Sequence, residues 1–276
     1  GRFRVNIHRQ RGLSGISFRW VKNEMLAFEQ LGLPPVLKEI SKAKRGIIIV
    51  TGTTGCGKST TMAAILQYVN TNRHEHVITI EDPIEYEFQD DQSVFEQREV
   101  GLDTDSFFGA LKHALRQDPD IIMVGEMRDR ISFEAALQAS DTGHLVITTL
   151  HASSAAQTIA RILDLFEKNE QDSIREALGA NLCAVISQRL VPLASGSGRA
   201  PVNEIMINTP IVTKLIHENR LEKLSAAIQS GQGDGMMTFN QCLLGLVKSG
   251  RVSREDATVC SDNPEGYVGY NDHCWG

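Results

Sequence analysis

The chain has 276 residues, with 28 basic against 34 acidic side chains and a net charge of −6. That balance argues against a protein whose main partner is DNA or RNA, because phosphate binding draws on an excess of positive charge. An apolar share of 41% and a charged share of 22% suit an ordinary folded domain, and no apolar run approaches the roughly 20 residues that cross a bilayer.

Residues 1–19 read as one or two strands rich in arginine, and residues 20–44 as a transition with helical patterning at Met25–Leu31 and a turn at Gly32-Leu33-Pro34-Pro35. The opening carries no signal pattern and no initiator Met, so the chain reads as cut from a longer parent. Ile47-Ile48-Ile49-Val50 is a β-branched run of the kind buried on both faces of a parallel sheet. Similar runs follow at Val77–Ile80, Ile121–Val124 and Leu145–Thr148, with helical stretches between them at Ser59–Asn70, Ser106–Arg116, Phe133–Ala139 and Ala155–Phe166. Strands alternating with helices predict an α/β fold with a mostly parallel central sheet flanked by helices. Beyond residue 170 the expectation is mostly helix, interrupted by a turn at Ser195–Gly198 and a strand at Val202–Ile207, with a last short helix opening at Ser253–Ala257. The tail, 261–276, has no periodicity and reads as flexible. The five cysteines (Cys56, Cys183, Cys242, Cys260, Cys274) contain no C-x-x-C pair, which fits neither zinc nor a disulfide framework and suggests a reducing cytosol.

Gly52-Thr53-Thr54-Gly55-Cys56-Gly57-Lys58-Ser59 satisfies G-x-x-x-x-G-K-[ST] between a strand and a helix, the context that distinguishes a P-loop from a chance glycine turn. Its glycines let successive N–H groups converge on an anion at a helix N-terminus. Lys58 is then expected on the β- and γ-phosphates, Ser59 on Mg²⁺, and the loop through Thr60 around the nucleotide. No N-K-x-D motif is present, so ATP is preferred over GTP. Cys56 reads as a small filler rather than a redox sensor.

In an open parallel sheet, ligands sit beyond the carboxyl ends of the strands. Glu81-Asp82-Pro83-Ile84-Glu85 follows one strand, and the run Ile121–Gly125 ends in Glu126 in the Walker B manner. Glu126 is a candidate to hold Mg²⁺ through water and to polarise the nucleophile, and Glu85 a candidate general base. Any one such acid alone would read as a cap or a solvated turn; several beside a P-loop read as chemistry. His151 leaves two readings open, a structural histidine or a γ-phosphate sensor.

Ile80-Glu81-Asp82-Pro83-Ile84-Glu85-Tyr86, Gly125-Glu126-Met127-Arg128-Asp129 and the stretch from Thr142-Gly143-His144 to Thr149-Leu150-His151 resemble the acidic, Walker B and histidine boxes of secretion ATPases. With Gln97–Gly101 and Val185-Ile186-Ser187-Gln188, the chain resembles the type IV pilus retraction ATPases from Arg2 to about Ala257. The resemblance implies the end of a PAS-like N-terminal domain (1–20), a linker and helix (21–44), and a RecA-like ATPase domain with a helical C-terminal part (45–260). It further implies a homohexamer at the cytoplasmic face of the inner membrane, acting on a membrane platform protein, with a paralogous retraction ATPase as a further partner and neither nucleic acid nor zinc. Lys58, Glu85, Glu126 and His151 take the hydrolytic roles by motif position. Arg4 and Arg19 match arginines that the family brings to the phosphates, with Arg11 and Arg45 as weaker candidates. On their own, exposed arginines would read as a solvated strand face.

Two departures stand out. Thr213 and His217 replace both arginines of the family's Ala-Ile-Arg-Asn-Leu-Ile-Arg-Glu retraction motif, and the N-terminal domain reads as truncated, with only its end expected in this chain. Three rivals follow: a pilus extension or type II secretion ATPase, for which a tetracysteine insert is missing; an accessory ATP-binding partner of a primary motor; and a nucleic-acid translocase, disfavoured by charge.

Overall fold

The structure, a computed structural model, describes residues 2–21 and 25–264; most of the expected tail, with Cys274, and linker residues 22–24 lie outside them. Strands β1 (Arg2–Gln10) and β2 (Leu13–Val21) form an antiparallel hairpin. Its two-residue turn has positive φ at both Arg11 and Gly12 (50° and 79°), the geometry that matches strand twist. Period-two alternation sorts its residues. Phe3, Val5 and Ile7 oppose Trp20, Phe18 and Ile16 on one face, and Arg4 opposes Arg19 on the other. The six apolar residues are 48–73% exposed.

Two short helices, α1 (Phe28–Leu31) and α2 (Val36–Ile40), lead into the core. There follow β3 (Gly46–Thr51), α3 (Lys58–Asn72), β4 (His76–Glu81), β5 (Val94–Glu99), α4 (Phe107–Ala114), β6 (Ile121–Val124), α5 (Arg130–Asp141) and β7 (Leu145–Leu150). Then come α6 (Ala155–Leu163), α7 (Gln171–Asn181), β8 (Leu182–Pro192), β9 (Arg199–Ile207), α8 (Pro210–His217), α9 (Leu224–Ser230), α10 (Phe239–Lys248) and α11 (Arg254–Cys260). Seven strands make one sheet in the order β5-β4-β6-β7-β3-β8-β9, parallel throughout except that β9 runs antiparallel to β8.

The β-branched runs are central strands, as expected, because both of their faces are covered. Ile47 and Ile49 pack with Ala136 of α5 and Ile159 of α6; Ile48 and Val50 pack with Leu37 of α2 and Ile65 of α3. Each fully buried aliphatic side chain contributes about 1.5–3 kcal/mol relative to exposure, which pins β3 at the centre of the sheet. A third cluster joins Val191 and Val202 of the β8–β9 ribbon to Phe239 and Leu243 of α10 and Ala257 of α11. Among the described residues, no helix is long and apolar enough to cross a membrane.

Two strands depart from expectation. Residues 182–192, expected to be largely helical, form an 11-residue strand. Its central Ser187 and Gln188 break the apolar run that would have marked it, yet both are buried. The strand β5 also escaped the pattern, because Val-Phe-Glu-Gln-Arg-Glu at a sheet edge has only one covered face.

Candidate nucleotide-binding site

Parallel pairing brings the carboxyl ends of β4, β6, β7 and β3 to one edge of the sheet. Ile80 lies beside Val124, Val124 beside Thr148, and Thr149 beside Val50. The loops leaving these ends share a cleft of about 820 Å³. Lys58, Glu85, Glu126 and His151 all line it, and Arg4 and Arg19 close it from the hairpin.

The phosphate loop is shaped by glycines held at positive φ. Gly52, Gly55 and Gly57 have φ of 147°, 79° and 89°. A Cβ on Gly52 would sit 2.4 Å from the Gln188 carbonyl oxygen. Thr54, Gly55, Gly57, Lys58, Ser59 and Thr60 face the cleft. Gly52 and Thr53 instead turn their carbonyls to the Lys58 ammonium, at 2.9 and 3.2 Å, and Cys56 packs behind the loop at 4% exposure. Burial pushes the Cys56 thiol up, against the pull of Lys58.

Glu126 follows β6. Its Oε2 accepts from Arg128 at 2.6 Å and its Oε1 lies 3.2 Å from His151 Nε2. The Arg128 hydrogen bond, reinforced by the charges of Arg128, His151 and Lys58, holds the Glu126 carboxyl below its ordinary value despite partial burial. The acidic loop after β4 is built on Glu81, which is 7% exposed and accepts from Thr79 and Gln97 and from the Glu85 N–H. Burial pushes the Glu81 carboxyl up, while Glu85 itself is exposed to the cleft. The Tyr86 hydroxyl meets Thr60 Oγ1 at 2.9 Å, tying this loop to the first turn of α3.

Arg4 and Arg19 are direct cross-strand neighbours. Like charges in that position are unfavourable, and here both line the anion cradle. Arg11 sits in the hairpin turn, and Arg45 lines a second cleft, of about 280 Å³, with Gly46 and Leu182 at the amino ends of β3 and β8. His144 meets the Ala139 carbonyl at 2.9 Å beside that same end of the sheet. Sequence spacing missed Arg128, Tyr86, Leu190 and Arg199, all of which line the main cleft. Arg128 and Tyr86 lie inside recognisable boxes; Leu190 and Arg199 arrive on the β8–β9 ribbon, which local patterning did not reveal.

Phosphate cradle, strand-end carboxylates and open parallel sheet define a P-loop nucleoside-triphosphate-binding domain. The model of the type II/IV secretion system protein family matches residues 11–253, and the chain belongs to that family. It is 46% identical over 266 residues to the type IV pilus retraction ATPase PilT of Pseudomonas aeruginosa, covering 96% of this chain and 77% of that protein. To the type IV pilus ATPase PilU of the same organism it is 43% identical, covering 95% of this chain and 69% of that one. A crystal structure of the pilus retraction motor PilT with bound ADP superposes with a TM-score of 0.89 at 45% identity, over 96% of this chain and 76% of that chain.

Proposed function

We propose that this chain is an ATP-hydrolysing motor subunit that powers type IV pilus retraction. The observation that carries the reading is the convergence of Lys58, Glu85, Glu126, His151, Arg4 and Arg19 on one cleft around a P-loop. The N–H groups of the loop and Lys58 bind the triphosphate; Glu85 orients and deprotonates the attacking water; Arg4 and Arg19 offset charge on the transferred phosphoryl group. His151, set against Glu126, reads the terminal phosphate. The Ser59 hydroxyl and the ionised Glu126 are hard oxygen donors suited to Mg²⁺, with Glu126 acting through water. Bound there, Mg²⁺ would neutralise charge on the β- and γ-phosphates. The working unit is a homohexamer, peripheral at the cytoplasmic face of the inner membrane, pulling through a pilus platform protein.

Steady-state hydrolysis by the purified full-length chain tests the enzyme. Glu126→Ala should lower kcat by about 10²-fold or more while ADP still binds, and Lys58→Ala should abolish binding. Hydrolysis unchanged in Glu126→Ala would reject the assignment.

A second reading, an accessory motor beside a paralogue, is favoured by α8. Thr213 Oγ1 donates to Asn208 Oδ1 at 3.0 Å, and the exposed His217 lies against Gly179 of α7, so neither position of the missing arginines carries a guanidinium. Retraction in cells lacking this protein, with and without the paralogue, separates the two.

A further inference from the structure

Gln188 lies behind the phosphate loop at 3% exposure and does not line the cleft. Its Nε2 donates to the Cys56 carbonyl at 2.7 Å. Its Oε1 accepts from Thr61 Oγ1 of α3 at 2.7 Å and from Asn203 Nδ2 of β9 at 3.0 Å. A backbone carbonyl can only accept, so the Cys56 contact fixes which end of the carboxamide faces the loop.

This contact has a consequence on the other side of the peptide. The Cys56–Gly57 peptide is planar and trans, so a carbonyl aimed backward at Gln188 sends the Gly57 N–H the opposite way. Gly57 lines the cleft. Glycines flank Cys56 on both sides, at φ of 79° and 89°, and glycine leaves a peptide plane freer to rotate than any other residue. Local sequence therefore permits the required orientation without enforcing it. A loop whose N–H groups converge forward must turn carbonyls backward into the protein, and each buried carbonyl needs a donor there.

Resting on the nucleotide site proposed above, we propose that Gln188 is a positioning residue for the P-loop: its carboxamide locks the Cys56–Gly57 peptide so that the Gly57 N–H faces the phosphates. The clamp acts on the bound phosphate chain through the loop and touches no reacting atom. Asn203 Nδ2 also donates to the carboxamide oxygen, so the N–H end stays turned to Cys56 without the Thr61 contact, which ties the strand to α3 instead.

Titration of the full-length protein with a fluorescent ADP analogue, paired with thermal melts with and without ADP, tests the assignment. Gln188→Met keeps length and removes the donor; Gln188→Glu keeps shape and sets an oxygen against the Cys56 carbonyl. Both should raise the Kd for ADP by about tenfold or more, the fold-change expected for losing one well-made buried hydrogen bond. Thr61→Val leaves the Cys56 contact in place and should change the Kd less than about threefold. Melting without ADP should fall comparably in Gln188→Met and Thr61→Val, while the ADP-induced rise shrinks only in the Gln188 variants. Unchanged ADP affinity in a folded Gln188 variant, or equal weakening by Thr61→Val, would overturn the assignment. Failure of the unmodified protein to bind ADP would sink the proposed function, and this inference with it.

Discussion

At the scale of single residues, the site depends on where charge is kept and where it is suppressed. Glu126 is held ionised by Arg128, which suits a group facing cations. Glu204, two strands away from the phosphate loop's strand, is the opposite case. It is 4% exposed, accepts from the Ala155 N–H at the start of α6 at 2.7 Å, and burial pushes its carboxyl up from 4.5. An acid whose folded value is raised binds its proton more tightly folded than unfolded. The contribution of Glu204 to stability is therefore fullest below 4.5 and is lost as pH rises through the raised folded value. Glu204→Gln retains an acceptor for Ala155 and removes the charge. Urea unfolding at pH 5 and pH 8 should accordingly show a smaller loss of stability between the two for the variant than for the parent.

At the scale of elements, the acidic loop owes its shape to the edge strand β5. Gln97 Oε1 accepts from the Phe88 N–H at 2.7 Å, while its Nε2 donates to the Tyr86 carbonyl at 2.8 Å and to Glu81 Oε1 at 3.2 Å. One side chain thus braces the segment that carries Glu85 without touching the phosphate loop. Gln97→Leu should lower kcat for ATP hydrolysis by about tenfold while ADP affinity stays within about twofold, because only Glu85, the acid proposed to position water, is displaced. A parallel fall in ADP affinity would mean that the edge strand supports the whole cleft. Helix α8 shows a different use of an element: its apolar face is buried through Val212, Leu215 and Ile216, and Thr213 and His217 extend the contact to α7.

At the scale of the whole molecule, the hairpin is a separate two-stranded sheet whose arginine face closes the cleft built by the seven-stranded one. In the proposed mechanism, nucleotide binding belongs to the large sheet, and completion of the charge-stabilising set belongs to the hairpin. The double variant Arg4→Ala/Arg19→Ala should therefore bind ADP nearly as well as the parent yet lose about 10³-fold in kcat, the low end for an arginine finger. Retained turnover in that variant would remove the hairpin from the mechanism.

Local patterns sufficed for much of this. The P-loop, the central β-branched strands and the acids at their carboxyl ends are legible because each signal is confined to a few adjacent residues, and a parallel sheet places all such ends at one edge. The braces were not legible. Gln188 meets Cys56 across 132 positions and Thr61 across 127, and no spacing rule relates residues that far apart. A buried glutamine inside an apolar strand weakens the very pattern that would announce the strand, so β8 read as helix. Sequence alone determined the phosphate loop and the acids at the neighbouring strand ends. Only the tertiary structure decided which buried amides hold those groups in place, because a hydrogen bond's partner is set by the packing of distant elements and not by the residue that makes it.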